Sequence, residues 1–259
     1  MQELALTLPA GKRFYFASDF HLGTPTPQAS LEREQRIVRW MDAARADAAA
    51  VFLLGDIFDF WFEYRKVVPR GFTRLLGRIA DFTDNGIPVY IFTGNHDLWI
   101  FDYLPTEVGV QVFRDPVVLK TGAQRLLIGH GDGLGPGDNT YKLLKKVFVS
   151  PVAHWLFARL HPNFSIALAQ AWSRQSRISN MKAGEHFQGP EREYLLTWCK
   201  EQEAAQHHDY YIFGHRHLPL DLEVSPVSRY VNLGEWVHFS TYAVYDGTKV
   251  ELCTFEKPA

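Results

Sequence analysis

The 259-residue chain is poor in cysteine, in excess charge of one sign and in long apolar runs. Two cysteines, Cys199 and Cys253, are too few for a disulfide framework or a cysteine-rich zinc site. A formal net charge of −2 provides no global attraction to nucleic acid, so we expect no nucleic-acid partner. No apolar run reaches the roughly 18 residues that span a bilayer, and residues 1–13 lack the pattern of a secretory signal. We therefore expect a cytoplasmic protein.

The composition is that of an ordinary folded protein, with 46% hydrophobic and 22% charged residues. A chain of this length buries enough surface for one full-sized core, and we expect a single domain over residues 1–259. Histidine is unusually abundant, with 11 residues in the chain.

Short apolar runs and helical periodicity alternate in the first part of the chain. The runs at 14–18, 50–54 and 88–93 predict buried strands, whereas apolar spacing predicts helices over 31–48 and 72–84. Strands that alternate with helices in this way are parallel and joined by right-handed crossovers. The alternating pattern of the C-terminal part, 221–255, instead predicts antiparallel strands, with a hairpin turn at Asp246-Gly247.

Each predicted strand ends in polar residues of the kind that bind metal ions. The blocks are Asp19-Phe20-His21, Gly55-Asp56, Gly94-Asn95-His96-Asp97, then Gly129-His130-Gly131-Asp132 after a run at 125–128, and Gly214-His215-Arg216-His217 after a run at 210–213. Ligand sites in open α/β sheets lie beyond the carboxyl ends of the strands, so we expect these blocks to converge. One such block is typical of a turn, but five in order predict a site for divalent ions such as Mn²⁺, Zn²⁺ or Fe²⁺.

A segment between the fourth and fifth blocks breaks the alternation. Residues 140–179 have helical periodicity, and Pro151 and Pro162 divide them into three short helices. We interpret residues 140–186 as a helical insertion that caps the site. Its aromatic residues lie beside cations, among them Lys146 and Arg159, which suits an acyl-chain chamber or contact with an anionic membrane. A purely structural cap is the alternative.

The ordered blocks resemble those of the calcineurin-like metallophosphoesterases, from residue 14 to residue 255. The resemblance implies an α/β fold, a four-layer α/β/β/α sandwich, and two divalent ions, for which we expect Mn²⁺, with Zn²⁺ or Fe²⁺ as alternatives. It implies that Asp19, His21, Asp56 and His217 bind one ion, and that Asp56, Asn95, His130 and His215 bind the other, with Asp56 bridging. It also implies two catalytic residues: His96, which contacts the reacting phosphate or leaving group, and Asp97, which orients His96.

The stretches 55–61, 93–99 and 130–134 are similar to the bacterial UDP-2,3-diacylglucosamine pyrophosphohydrolases of lipid A synthesis. That resemblance implies cleavage of the pyrophosphate of a lipid-linked UDP-sugar to UMP and 2,3-diacylglucosamine 1-phosphate, through attack of a metal-bridging hydroxide on the α-phosphorus. It implies peripheral attachment to the cytoplasmic face of the inner membrane. The substrate contacts that it implies are Asn95, His96, Asp138, Ser176, Asn180, Lys182 and His215. Arginine follows the asparagine in the main group of that family, where this chain has His96.

Two other functions fit parts of the same pattern. A phosphodiesterase or pyrophosphatase acting on a soluble nucleotide or nucleotide sugar would need the same metal centre. A catalytically silent scaffold would be expected to have lost ligands, and this chain retains every one of them together with His96.

Overall fold

The computed structural model describes residues 1–135, 139–183 and 186–256, apart from the side chains of 139, 140, 172 and 174–183. Two six-stranded sheets form the centre of the fold. The first contains β2 (Arg13–Ala17), β3 (Ala48–Leu54), β4 (Val89–Phe92), β5 (Gln111–Phe113), β11 (Thr241–Tyr245) and β12 (Val250–Thr254), in the order β12-β11-β2-β3-β4-β5. The second contains β1 (Gln2–Ala5), β6 (Val117–Thr121), β7 (Gln124–Gly129), β8 (Tyr210–Phe213), β9 (Pro219–Ser225) and β10 (Ser228–Leu233), in the order β1-β6-β7-β8-β10-β9.

Strands β2 to β5 are parallel, as the alternating pattern predicts. The predicted crossover helices join them: α1 (Pro27–Ala44) runs between β2 and β3, and α2 (Thr73–Asp84) between β3 and β4. Strand β11 pairs antiparallel with β2 and with β12, which confirms the predicted C-terminal hairpin. In the second sheet β7, β8 and β10 are parallel, so the ends of β7 and β8 lie at one edge.

Successive side chains of a strand point to opposite faces of the sheet, so each sheet contributes to two layers of the core. In β2, Phe14 and Phe16 pack between the two sheets, whereas Tyr15 and Ala17 pack against α1 and α2. The outer face of the second sheet is covered by α7 (Tyr194–Ala205), whose Leu195 packs on it. Helices, sheet, sheet and helix therefore stack in four layers, which confirms the predicted sandwich.

Local signals set the bounds of α1. The Thr26 hydroxyl accepts the Ala29 amide at 3.1 Å, and Pro27 occupies the first turn, where its missing N–H is tolerated. The helix therefore begins before the predicted residue 31. It ends at Ala44, earlier than predicted, because the buried alanines from Ala48 onward belong to β3.

The first three helices after β7 are called the insertion helices here: α4 (Asn139–Phe148), α5 (Pro151–Phe157) and α6 (Pro162–Ala183). As predicted, α5 and α6 begin at prolines. An aromatic cluster attaches α4 and α5 to loops beyond β3 and β4. The Trp99 ring makes an edge contact with Phe148 and a tilted contact with Phe157, and its indole N–H donates to the Phe148 carbonyl at 2.7 Å. None of the helices in the described ranges is long and apolar enough to cross a membrane.

Candidate metal centre

The carboxyl ends of β2, β3 and β8 bring four predicted ligands into one group. Ligand atoms of Asp19, His21, Asp56 and His217 lie within 4.8 Å of one another. His217 Nε2 is 3.1 Å from His21 Nε2 and 3.3 Å from Asp19 Oδ1. Two imidazole nitrogens and two carboxylates that point to one small volume form a donor set that suits a divalent ion.

The predicted second set lies on the other side of Asp56. Asp56 Oδ2 is 3.5 Å from His130 Nε2, which in turn is 3.3 Å from Asn95 Oδ1. The ring centroids of His130 and His215 are 5.1 Å apart. Asp56 thus stands between the two sets, the position that a bridging carboxylate requires.

The backbone of these residues adopts an unusual conformation. Seven non-glycine residues in the described ranges have a positive φ, and five of them are predicted ligands. They are Asp19 (55°), His21 (43°), Asp56 (52°), His215 (69°) and His217 (55°). Such conformations cost free energy and persist at functional sites where the surrounding structure imposes them. Here they turn the chain sharply at the strand ends, so that residues close in sequence face the same volume.

The glycines that precede the ligands allow the loops to approach closely. A Cβ on Gly55 would lie 2.6 Å from Nδ1 of His130, and one on Gly94 would lie 2.7 Å from the backbone nitrogen of Asp56. Real Cβ atoms do not make such contacts, and the clashing atoms belong to the site itself. Any larger residue at either position would therefore push predicted ligands apart.

Hydrogen bonds fix how the ligands present their atoms. The Nδ1–H of His130 donates to the Leu54 carbonyl at 2.8 Å, which leaves Nε2 to face Asp56 and Asn95. The backbone N–H of His215 donates to Asp19 Oδ2 at 3.0 Å. The buried guanidinium of Arg33 donates to the carbonyls of Phe20 and His21, each at 2.6 Å, and so holds the first ligand loop.

Positive charge on neighbouring imidazoles compensates the buried carboxylate of Asp56. Burial opposes ionisation of Asp56, but the positive charges of His130, His96 and His21 outweigh it and hold its pKa well below the usual range. Burial likewise opposes charge on His130, yet Asp56 raises the pKa of that imidazole to about 10. Burial and the charge of His130 lower the pKa of His215 to about 4. The imidazoles compensate a buried carboxylate, and divalent ions can take over that role once the imidazoles release their protons.

His96 lies at the rim of this centre with a defined orientation. Its Nδ1 is 3.0 Å from the Asp59 carbonyl oxygen and 3.1 Å from the Ser173 hydroxyl. Because a carbonyl only accepts, Nδ1 carries the proton. The other ring nitrogen, Nε2, lies 4.0 Å from Asp56 Oδ2 and so faces the centre.

Asp97 has a different role from the one expected. Its carboxylate accepts the backbone N–H groups of Gly94 at 2.7 Å and of Ile57 at 2.8 Å, and it makes no hydrogen bond to His96. It therefore ties the loops beyond β3 and β4 together, and the expectation that it orients His96 is corrected. Asp59 and Ser173 hold the imidazole instead. Burial and the charge of Asp56 raise the pKa of Asp97 to about 7.

The remaining predicted substrate contacts cannot be placed in this geometry. Asp138 and the side chains of Ser176, Asn180 and Lys182 lie outside the described residues. Sequence reasoning missed Asp59 and Ser173 as partners of His96. The stretch 55–61 contains Asp59, whereas nothing in the sequence pairs Ser173 with a residue 77 positions away.

Comparisons with known proteins agree with this arrangement. A family model described as calcineurin-like phosphoesterase matches residues 12–219. A UDP-2,3-diacylglucosamine hydrolase from Porphyromonas gingivalis is 37% identical over 257 residues, 94% of this chain and 98% of the relative. A protein of the same name from Aeromonas hydrophila is 27% identical over 231 residues, 85% of this chain and 89% of the relative. A solved dimetal phosphatase from Danio rerio aligns over 96% of this chain and 100% of that chain, with 13% identity and a TM-score of 0.43, too low a likeness to support an inference.

The family match runs from β2 to the start of β9 and so includes all five ligand blocks. The Porphyromonas gingivalis relative extends the similarity to nearly the whole of both chains. The chain therefore belongs to the calcineurin-like phosphoesterases, hydrolases that use divalent metal ions.

Proposed function

We propose that this protein is a two-metal hydrolase that cleaves the pyrophosphate of UDP-2,3-diacylglucosamine to UMP and 2,3-diacylglucosamine 1-phosphate. The position of Asp56 between two sets of ligands carries the two-metal part of the proposal. The substrate is proposed from the relative named UDP-2,3-diacylglucosamine hydrolase, which is similar over 98% of its length. The similarity extends over nearly the whole of both chains and so supports a common substrate.

The proposed metal ligands form two sets that share Asp56. One ion would be held by Asp19, His21, Asp56 and His217, and the other by Asp56, Asn95, His130 and His215. Two ions in such a site lower the pKa of a bound water and neutralise charge on the phosphoryl oxygens. The mixture of carboxylate, imidazole and amide donors suits ions of intermediate hardness, and we propose Mn²⁺.

His96 is proposed to act on the substrate without binding metal. Its Nδ1 is engaged by Asp59 and Ser173, so only Nε2 is available on the side that faces Asp56. In its protonated form the imidazole can donate the Nε2 proton to a phosphate oxygen, either a non-bridging one or that of the leaving group. Such a positioned donor stabilises charge that develops as the bond to the leaving group breaks.

The insertion helices carry an apolar surface that suits the lipid part of this substrate. Among the described side chains of these helices, seven large hydrophobic ones are exposed: Leu143, Val147, Val152, Trp155, Leu156, Phe164 and Leu168. Val149 and Leu160, in the segments that connect the helices, are exposed as well. Exposed Lys146 and the guanidinium of Arg159, 4.6 Å above the Trp155 ring, add positive charge. We propose that this surface lies against the anionic cytoplasmic face of the inner membrane and receives the acyl chains there.

Substrate assays with purified protein test the proposal. Mn²⁺-loaded protein should release UMP from UDP-2,3-diacylglucosamine, and a chelator should abolish the release. In ¹⁸O-labelled water the label should enter UMP, because the α-phosphorus is attacked. Apparent affinity should rise about fourfold for each added CH₂ that is buried, then level off. Equal turnover of a soluble UDP-sugar would favour the soluble-nucleotide enzyme, and label in the sugar phosphate would contradict attack at the α-phosphorus.

A further inference from the structure

Ser173 links the insertion helices directly to His96. It lies on α6, and its side chain is buried, with 7% of the residue exposed. Its hydroxyl oxygen is 2.9 Å from Asp59 Oδ1 and 3.1 Å from His96 Nδ1. Asp59 follows β3 and His96 follows β4, so three separate parts of the chain meet at this hydroxyl.

The protons in this group can be assigned from the donors and acceptors present. The Ser173 O–H donates to Oδ1 of Asp59. The Nδ1–H of His96 then donates to the Ser173 oxygen and to the Asp59 carbonyl oxygen. With both acceptors in place, the ring has one preferred rotation and one proton position, and Nε2 points to the metal centre.

We propose that Ser173 is a positioning residue for His96, through which docking of α6 sets the orientation of the imidazole that acts on the phosphate. This inference rests on the role of His96 in the proposed function. It makes the insertion helices part of the catalytic arrangement as well as a lipid-binding surface. Hydrolysis at the metal centre should then depend on α6 even for a substrate with no acyl chain.

The phenyl ester of UMP is a suitable probe, because it has no acyl chain and its phenolate leaving group needs assistance. Ser173→Ala should lower kcat for this ester about tenfold, because the imidazole keeps only one of its two acceptors. KM should stay within about twofold and both metal ions should remain bound. Ser173→Thr, which keeps the hydroxyl, should restore kcat to within about threefold of the unmodified protein.

A double-mutant cycle separates positioning from a general structural role. If Ser173 acts through His96, Ser173→Ala should cause no further loss of kcat in the His96→Ala background. Ser165→Ala is the matched control, because Ser165 lies on the same helix, is fully buried and contacts Tyr64 rather than His96. It should leave kcat for the phenyl ester unchanged.

The same tenfold loss in the His96→Ala background, or an equal loss in Ser165→Ala, would overturn the proposal, as would a silent His96→Ala. Should Ser173→Ala fail to fold, Ser173→Cys takes its place in the cycle, because it keeps the shape and weakens the hydrogen bonds. If UDP-2,3-diacylglucosamine is not hydrolysed but the phenyl ester is, the proposed substrate fails while the cycle still tests Ser173.

Discussion

Replacing Asp56 by alanine should remove most of both metal ions, whereas losing a terminal ligand such as His217 should remove one. Asp56 Oδ2 is 3.5 Å from His130 Nε2 in one set and 3.9 Å from His21 Nε2 in the other. Deletion of this carboxylate withdraws a shared negative charge from both sets. Asp56→Ala should therefore lose nearly all turnover.

The size of the effect follows from the charge and the distances. A unit charge about 4 Å from another contributes about 4 kcal/mol at an effective dielectric constant of about 20. That free energy corresponds to about a thousandfold change in affinity, and for a divalent ion it is larger. Because the carboxylate serves both ions, each should lose at least this factor. Asp56→Asn, which keeps the shape but removes the charge, should lose nearly as much.

The assay is metal content per chain after dialysis against a weak chelator, measured by inductively coupled plasma mass spectrometry and paired with titration calorimetry. Thermal unfolding of the metal-free proteins checks that the variants fold. Asp56→Ala protein that retains two ions per chain would refute the bridging assignment. So would an equal loss of metal in Asp56→Ala and His217→Ala.

Three further predictions concern catalysis, lipid contact and stability. His96→Ala should keep both ions while kcat falls by about 10² to 10⁴, and loss of one ion would make His96 a ligand. Trp155→Ser should weaken sedimentation with anionic vesicles about tenfold, whereas Val227→Ser should not, although Val227 is 70% exposed against 57% for Trp155, because it lies outside the insertion helices; equal effects would contradict the membrane surface. A hydrogen bond from the Thr248 side chain, with backbone N–H donors, lowers the pKa of Asp246 to about 2 from 3.8. The ionised carboxylate therefore stabilises the folded state above pH 3.8, and this stabilisation is lost as the pH falls through 2. Because the side chain is exposed to solvent, we expect a contribution of about 1 kcal/mol to the free energy of unfolding. Asp246→Asn should lower the unfolding temperature at pH 7 but not at pH 2, and an equal loss at both would argue against the shift.

The sequence predicts the elements whose signals are local. The apolar run at 210–213 coincides with β8, and the prolines that interrupt the periodicity begin α5 and α6. Strand β5, Gln111–Phe113, has three residues, too few to show a period. Helix α7 shows no clean apolar stripe because its large apolar residues all fall in its first half, from Tyr194 to Cys199, and the rest of the helix is polar or alanine.

The functional residues that can be predicted are likewise those with a local signal in the sequence. Ligands in short blocks directly after a strand can be predicted from the sequence, because the end of the strand fixes their position in the fold. The partners of His96 cannot, because Ser173 reaches Asp59 only after α6 has docked, across 114 positions of sequence. Asp97 shows the converse error, since a carboxylate adjacent in sequence to His96 points to the backbone instead.

The positive φ angles of the ligands impose a conformational cost on the metal-free protein. A left-handed conformation costs roughly 1–2 kcal/mol for a residue with a side chain, and glycine avoids that cost. Glycine at His217, whose side chain is 20% exposed, should therefore raise the unfolding temperature of the metal-free protein while removing a ligand. At Asp19 or Asp56 the same change should lower it, because buried N–H groups and His130 would lose their partner. Selection for thermal stability alone would therefore favour glycine at His217, and a descendant that kept the fold but carried this glycine would lack a ligand that the hydrolysis of phosphoesters needs.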